Sequence, residues 1–153
     1  MLNIDTNITI YDDIYLKDIK KEDKCIYLLY TNLDSNTVSQ DIIYNIMDYK
    51  DIYDEILNNY RDDLFSSLWH KYKVDNNIII YIVKEVLMNK SQTLKDEVCN
   101  LFTDIIVEAY NKNIKNLYTY YNFDTYLNKS LFELYLSKLS AENINVHICA
   151  NRQ

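Results

Sequence analysis

Ile78-Ile79-Ile80-Tyr81-Ile82-Val83-Lys84-Glu85-Val86-Leu87-Met88 is the stretch on which the fold of this chain turns. Its first six residues are all β-prone, and such a run suits a strand buried on both faces. Length points the other way, because apolar positions continue past Lys84 and Glu85 to Met88, beyond the reach of an ordinary strand. Read by length, the run is a helix buried on most sides, opened by Asp75 and closed at Asn89.

Downstream, Thr93 to Tyr110 reads as an amphipathic helix. Leu94, Val98, Leu101, Phe102, Ile105, Ile106 and Ala109 recur every three or four residues and fall on one face. Thr93 is the N-cap, with Asp96 as its acidic partner and Glu97 facing the positive end of the helix dipole. Cys99 and Val107 lie off the stripe, which predicts neighbours on more than one side.

The same spacing predicts helices elsewhere. One runs from Val38 to Met47 behind the capping pattern Thr37 to Gln40, with a short piece at Ile52, Tyr53, Ile56 and Leu57. Another carries Leu64, Phe65, Leu68, Trp69 and Tyr72. Ile114, Leu117, Tyr118 and Tyr121 mark a short one, and Leu127, Leu131, Leu134, Tyr135, Leu136 and Leu139 a last one after Asp124. Tyr11 to Asn32 is helical in tendency around the charged run 17–24. The ends, about 1–10 and 141–153, read as weakly structured. The expected architecture is all-α: a single domain over 1–153, a bundle of about seven helices around the central hydrophobic one.

Composition bounds the function. The 153 residues are 48% hydrophobic and 25% charged, which is the balance of one globular domain. There is no Gly and no Pro, where ordinary usage predicts about eighteen. An AT-rich genome explains this, and the sixteen Tyr with it, since Ile, Asn, Lys, Tyr and Phe have AT-rich codons. Turns at positive φ then fall to Asn or Asp, and Asn111–Asn113 and Asn143 are among the candidates. Hairpins of the Asn-Gly type are hard to build without Gly. A net charge of −7 and a pI near 4.7 speak against nucleic acid or an anionic membrane as the main partner. Three cysteines without metal or disulfide spacing fit a reducing compartment, and no apolar window reaches the length of a membrane span or anchor.

Chemistry is sparse. Phosphate-cradling loops, dinucleotide folds and the nucleophile elbow use Gly where backbone approaches a ligand. His70 and His147 are isolated, and Asp12–Asp13 and Asp62–Asp63 sit where helix caps are expected. The residues therefore predict no catalytic group, no cofactor and no metal, and point to a protein that works by interaction.

The order of these elements resembles the Bcl-2 fold, and in particular the poxviral Bcl-2-like proteins. Ile82-Val83-Lys84-Glu85-Val86-Leu87 is similar to the end of that family's fourth helix, and Glu97-Val98-Cys99-Asn100-Leu101-Phe102 to the start of its central one. Tyr49 to Leu57 resembles its short third helix. The family's Asn-Trp-Gly-Arg signature is replaced around Thr93-Leu94-Lys95-Asp96-Glu97, with Asp96 in the place of Gly and Glu97 in the place of Arg.

The resemblance implies a viral inhibitor of host apoptosis that holds the BH3 helices of pro-death proteins in a groove. Ile82 and Val86 would line it, Val98 and Phe102 would form its floor, and Ile52, Ile56, Phe65 and Leu68 would close it, with Glu97 facing the ligand. A carboxylate there repels the Asp of a BH3 helix. That favours the alternative of a closed-groove inhibitor of innate immune (NF-κB) signalling. Either reading places the chain in the host cytoplasm, reaching mitochondria through partners, and allows a homodimer through helix faces or a swapped N-terminal helix.

Overall fold

The computed structural model describes residues 7–31, 68–84, 95–121 and 129–150, and it is an α/β fold, not an all-α bundle. Six strands form one sheet: β1 (Ile8–Asp12), β2 (Cys25–Thr31), β3 (Trp69–Lys73), β4 (Ile78–Lys84), β5 (Asn116–Tyr121) and β6 (Asn145–Ala150). Their order is β1-β6-β5-β2-β4-β3. All neighbours run parallel except the β3–β4 hairpin. Among the described residues there are two α-helices, α1 (Lys95–Lys112) and α2 (Lys129–Ala141), and a short 3-10 turn at Leu16–Asp18.

The correction starts at Ile78. The run to Lys84 is β4, sandwiched between β2 and β3. Ile79 to Val83 are at most 1% exposed. Central parallel strands are covered on both faces and so carry continuous apolar runs instead of alternation. β2, Cys-Ile-Tyr-Leu-Leu-Tyr-Thr, has the same character. Length misleads because the strand ends at Lys84, while Val86 to Met88 lie outside the described residues.

Four other expected helices or weak ends change as well. Tyr11 to Asn32 divides into the end of β1, the 3-10 turn and β2, Trp69 to Lys73 is β3, and Ile114 to Tyr121 contains β5. The C-terminal end holds β6, which lies between β1 and β5. The helices expected at 38–47 and 52–57 lie outside the described residues.

The hairpin forms without Gly because the Asp75 carboxylate accepts from the Asn77 and Ile78 amides at 2.6 and 3.0 Å, taking over the work of a turn residue.

Register sorts the sheet into two faces. One row crosses all six strands as Ile10, Ile148, Thr119, Leu28, Tyr81 and Lys71, and faces the helices. The next row, Thr9, His147, Tyr118, Tyr27, Ile80 and Tyr72, faces the other side. The connections β4-α1-β5 and β5-α2-β6 step the same way along the sheet, so right-handed crossovers put both helices on one face. There α1 buries Val98, Leu101, Phe102, Ile105 and Ala109, each large side chain contributing roughly 1.5–3 kcal/mol. Leu16 of the 3-10 turn is fully buried and its segment packs against β5.

Candidate functional site

Both helices end in the same motif. At α1, the Ile114 amide donates to the Ala109 carbonyl (2.9 Å) and the Asn113 amide to the Tyr110 carbonyl (3.4 Å). At α2, Ile144 donates to Leu139 (3.2 Å) and Asn143 to Ser140 (3.0 Å). These are Schellman caps with Asn at the left-handed position, φ 55° at Asn113 and 65° at Asn143. Asn takes the place of the missing Gly, as expected for these two positions. Ile114 and Ile144 follow, both buried, and pin each corner to the core.

Set side by side at the amino edge of the sheet, the two corners enclose a cleft of about 510 Å³. Ile106, Val107 and Tyr110 of α1 form one wall, with Lys115 and Glu142 at its polar margin. Tyr110 is 86% exposed and Val107 48%. A smaller depression of about 260 Å³ adjoins it, sharing Asn113 and Lys115 and bounded by Glu22, Asp23, Lys24 and Asn116.

Behind that depression stands His147. Its Nε2 donates to the Asn116 side-chain carbonyl at 3.0 Å, and its Nδ1 accepts the Tyr11 hydroxyl at 3.0 Å. The ring stacks on Tyr118, centroids 4.5 Å apart. Burial lowers its pKa and Glu22 offsets this in part, so the imidazole is held neutral. The Tyr118 hydroxyl accepts the Glu22 amide at 3.0 Å, tying the loop to the sheet.

A second polar cluster lies at the far edge. Lys71 of β3 reaches Glu108 (2.6 Å) and Asp104 (2.9 Å) of α1, and Lys73 and Lys112 each approach Glu108 at 3.4 Å. The fully buried Tyr81 donates its hydroxyl to Asp104 at 2.5 Å. Burial opposes the charge on Glu108, but Lys71 and Lys73 outweigh it and lower its pKa. Lys71 is raised on balance, since its bonds to Glu108 and Asp104 overcome desolvation. Tyr81 is raised by burial and by Asp104. Burial also pushes the Cys25 and Cys149 thiols up to about 11, and Tyr135, bonded to Cys99 at 3.2 Å, rises to about 12.

The groove expected from sequence does not assemble among the described residues. Ile82 lies in β4, while Val98 and Phe102 face the sheet from α1, all at most 3% exposed. Glu97 is exposed on the first turn of α1, and Leu68 is partly buried just before β3. Ile52, Ile56, Phe65 and Val86 lie outside the described residues. The cleft residues that sequence reading passed over are Tyr110, Lys115 and Glu142. A signal was present in Val107 and Tyr110, two apolar residues three apart and both off the buried stripe of α1.

Comparison with known proteins adds fold alone. No family model and no curated protein matches the chain. A crystal structure of a protein from Bacteroides thetaiotaomicron, a structural-genomics target, is similar in shape, with a TM-score of 0.61 at 10% identity over 92% of this chain and 98% of that one. Among the described residues no helix is long and apolar enough to cross a membrane, and no three His, Cys, Asp or Glu side chains gather to hold a metal.

Proposed function

We propose that this domain acts by recognising another protein at the amino-edge cleft, with Tyr110 as the central contact. The observation that carries this reading is a Tyr 86% exposed at the wall of a 510 Å³ cleft. A tyrosine side chain on a helix has only two torsions to fix, so it buries a large area at little entropic cost, which is why Tyr is enriched in recognition surfaces. The asparagines at 111, 113 and 143, with Lys115 and Glu142, supply the hydrogen-bonding rim such surfaces use. The titratable groups nearby support binding over catalysis, since both His147 nitrogens, Asp104 and Glu108 are engaged in holding elements together.

Replacing Tyr110 with a photo-crosslinking phenylalanine analogue in intact cells tests the reading, with Leu134, exposed on α2, as the control position. The captured protein, purified, should bind wild type at least about tenfold more tightly than Val107→Asp. Equal capture from both positions, or equal affinity, counts against it.

A second reading follows from the winding. The chain steps toward β4 after β2 and toward β6 after β5, so the carboxyl ends Thr31 and Tyr121 flank a topological switch point, where open α/β sheets receive ligands. Lys84 ends β4 in register with Thr31, which suits an anionic small molecule. A panel of nucleotides and sugar phosphates at millimolar concentration should then raise the melting temperature of wild type and not of Lys84→Met. No rise with any of them removes this reading and leaves the first untouched.

A further inference from the structure

Two helices deliver their carboxyl ends to one cleft. α1 closes at Asn113 and α2 at Asn143, and both corners line it. The breaks in the described chain after 31, 84, 121 and 150 fall at the opposite, carboxyl edge of the sheet.

The carboxyl end of a helix carries about half a negative charge. At α1 a cation answers it, since the Lys24 ammonium lies 3.5 Å from the Lys112 carbonyl. The end of α2 is arranged the other way. Glu142 follows its last residue, Ala141, so a full negative charge adds to the dipole instead of offsetting it. Among the described residues no cation pairs with Glu142. Lys112 and Lys138, in the last turns, are directed elsewhere, the first to Glu108 at 3.4 Å and the second over the Tyr135 ring at 5.1 Å. Lys115 lines the cleft without bonding Glu142. Its charge balances that of Glu142, and the two helix ends leave the cleft negative.

A carboxylate set against a helix end breaks a local rule, and such breaches gather where a ligand supplies what the chain does not. Tyr110 stands on the α1 wall of the same cleft, exposed, and the face of a tyrosine ring attracts cations.

We infer, on the reading that the cleft recognises a protein, that the segment it takes carries an Arg or Lys side chain, whose charge lies over Tyr110 and pairs with Glu142. Arg suits both contacts at once, because a guanidinium stacks by its face and donates by its edge. Ile106 and Val107 flank the position and favour an apolar neighbour in the segment. The net charge of −7 steers such a partner in from a distance.

Random heptapeptides displayed on phage and selected on the intact wild-type chain test this, with Tyr110→Ala as the counter-target. That variant keeps the charge of the molecule, so it removes peptides held by the overall field alone. Peptides kept by wild type and not by Tyr110→Ala should share an Arg or Lys beside an apolar residue. Exchanging that Arg for citrulline, which has its shape without its charge, should weaken binding more than about fivefold by calorimetry. Glu142→Gln should weaken the Arg form about two- to fivefold and leave the citrulline form unchanged. Lys115→Met should tighten the Arg form, and rising salt should loosen it. Cleft-specific peptides that are acidic or indifferent to charge, or equal affinity for the Arg and citrulline forms, overturn the inference and leave the cleft as a recognition surface. Peptides held equally by wild type and Tyr110→Ala overturn both.

Discussion

The β3 edge and the β1 edge of this sheet meet solvent in opposite ways. β3 is an antiparallel strand fastened to α1 through Lys71, Asp104 and Glu108, with the Tyr81 hydroxyl beneath. β1 is a parallel strand tied to β6, with Tyr11 bonded to His147 on one face and Ile10 exposed on the other. A strand with cations aimed inward needs carboxylates on its neighbour, and α1 supplies them four residues apart at Asp104 and Glu108. β1 has no such cation, and among the described residues no second strand flanks it.

The largest expected effect comes from breaking the guarded edge. Glu108→Ala removes the acceptor shared by three lysines and should cost about 2–4 kcal/mol in a denaturant melt. If the loss is under 0.5 kcal/mol, the network is surface decoration and the contrast between the edges fails. Tyr81→Phe keeps the packing and deletes one bond to a charged acceptor, for a cost of about 1–2 kcal/mol.

Acid separates the two edges. The folded pKa of His147 lies below its ordinary 6.5, so below that pH the unfolded chain binds more protons. Stability is therefore full above 6.5 and declines as pH falls under it, near β1 first. Glu108 is lowered from 4.5, so its contribution persists until pH falls below 4.5 and through the folded value. Melting curves from pH 8 to 3 should show the earlier decline vanish in His147→Phe while the later one remains. A single acid transition unchanged by that substitution contradicts this assignment.

Smallest are the effects at exposed positions on the edge strand and at the helix corners. Ile10→Thr should change monomer stability by no more than about 0.5 kcal/mol. Asn113→Gly and Asn143→Gly should each stabilise by a few tenths to about 1 kcal/mol, by relieving a left-handed residue of its Cβ.

What could be read in advance was local. The stripe Val98, Leu101, Phe102, Ile105 and Ala109 makes α1 legible, and Tyr135, Leu136 and Leu139 do the same for α2, because a face buried on one side leaves a period. Asn113 and Asn143 were legible as turn residues because nothing else in a Gly-free chain takes positive φ as readily.

The strands were not legible in that way. β2 and β4 lie inside the sheet and carry apolar residues at every position but the last, so they show neither the period of two nor that of 3.6. Their β-branched content was the better guide than length. The site was hidden for a related reason, since Tyr110 and Glu142 are far apart in the chain and meet only when two crossovers are wound side by side.

By itself, then, the sequence determined two amphipathic helices, their glycine-free corners and an acidic surface, all of which depend on neighbours within a few residues. The sheet, the sides each helix covers, the tied Lys71 and the place of β1 at the sheet edge were decided by tertiary structure. Strand pairing joins residues more than a hundred positions apart, such as Ile8 and Val146, and that choice is made by burial of the whole sheet.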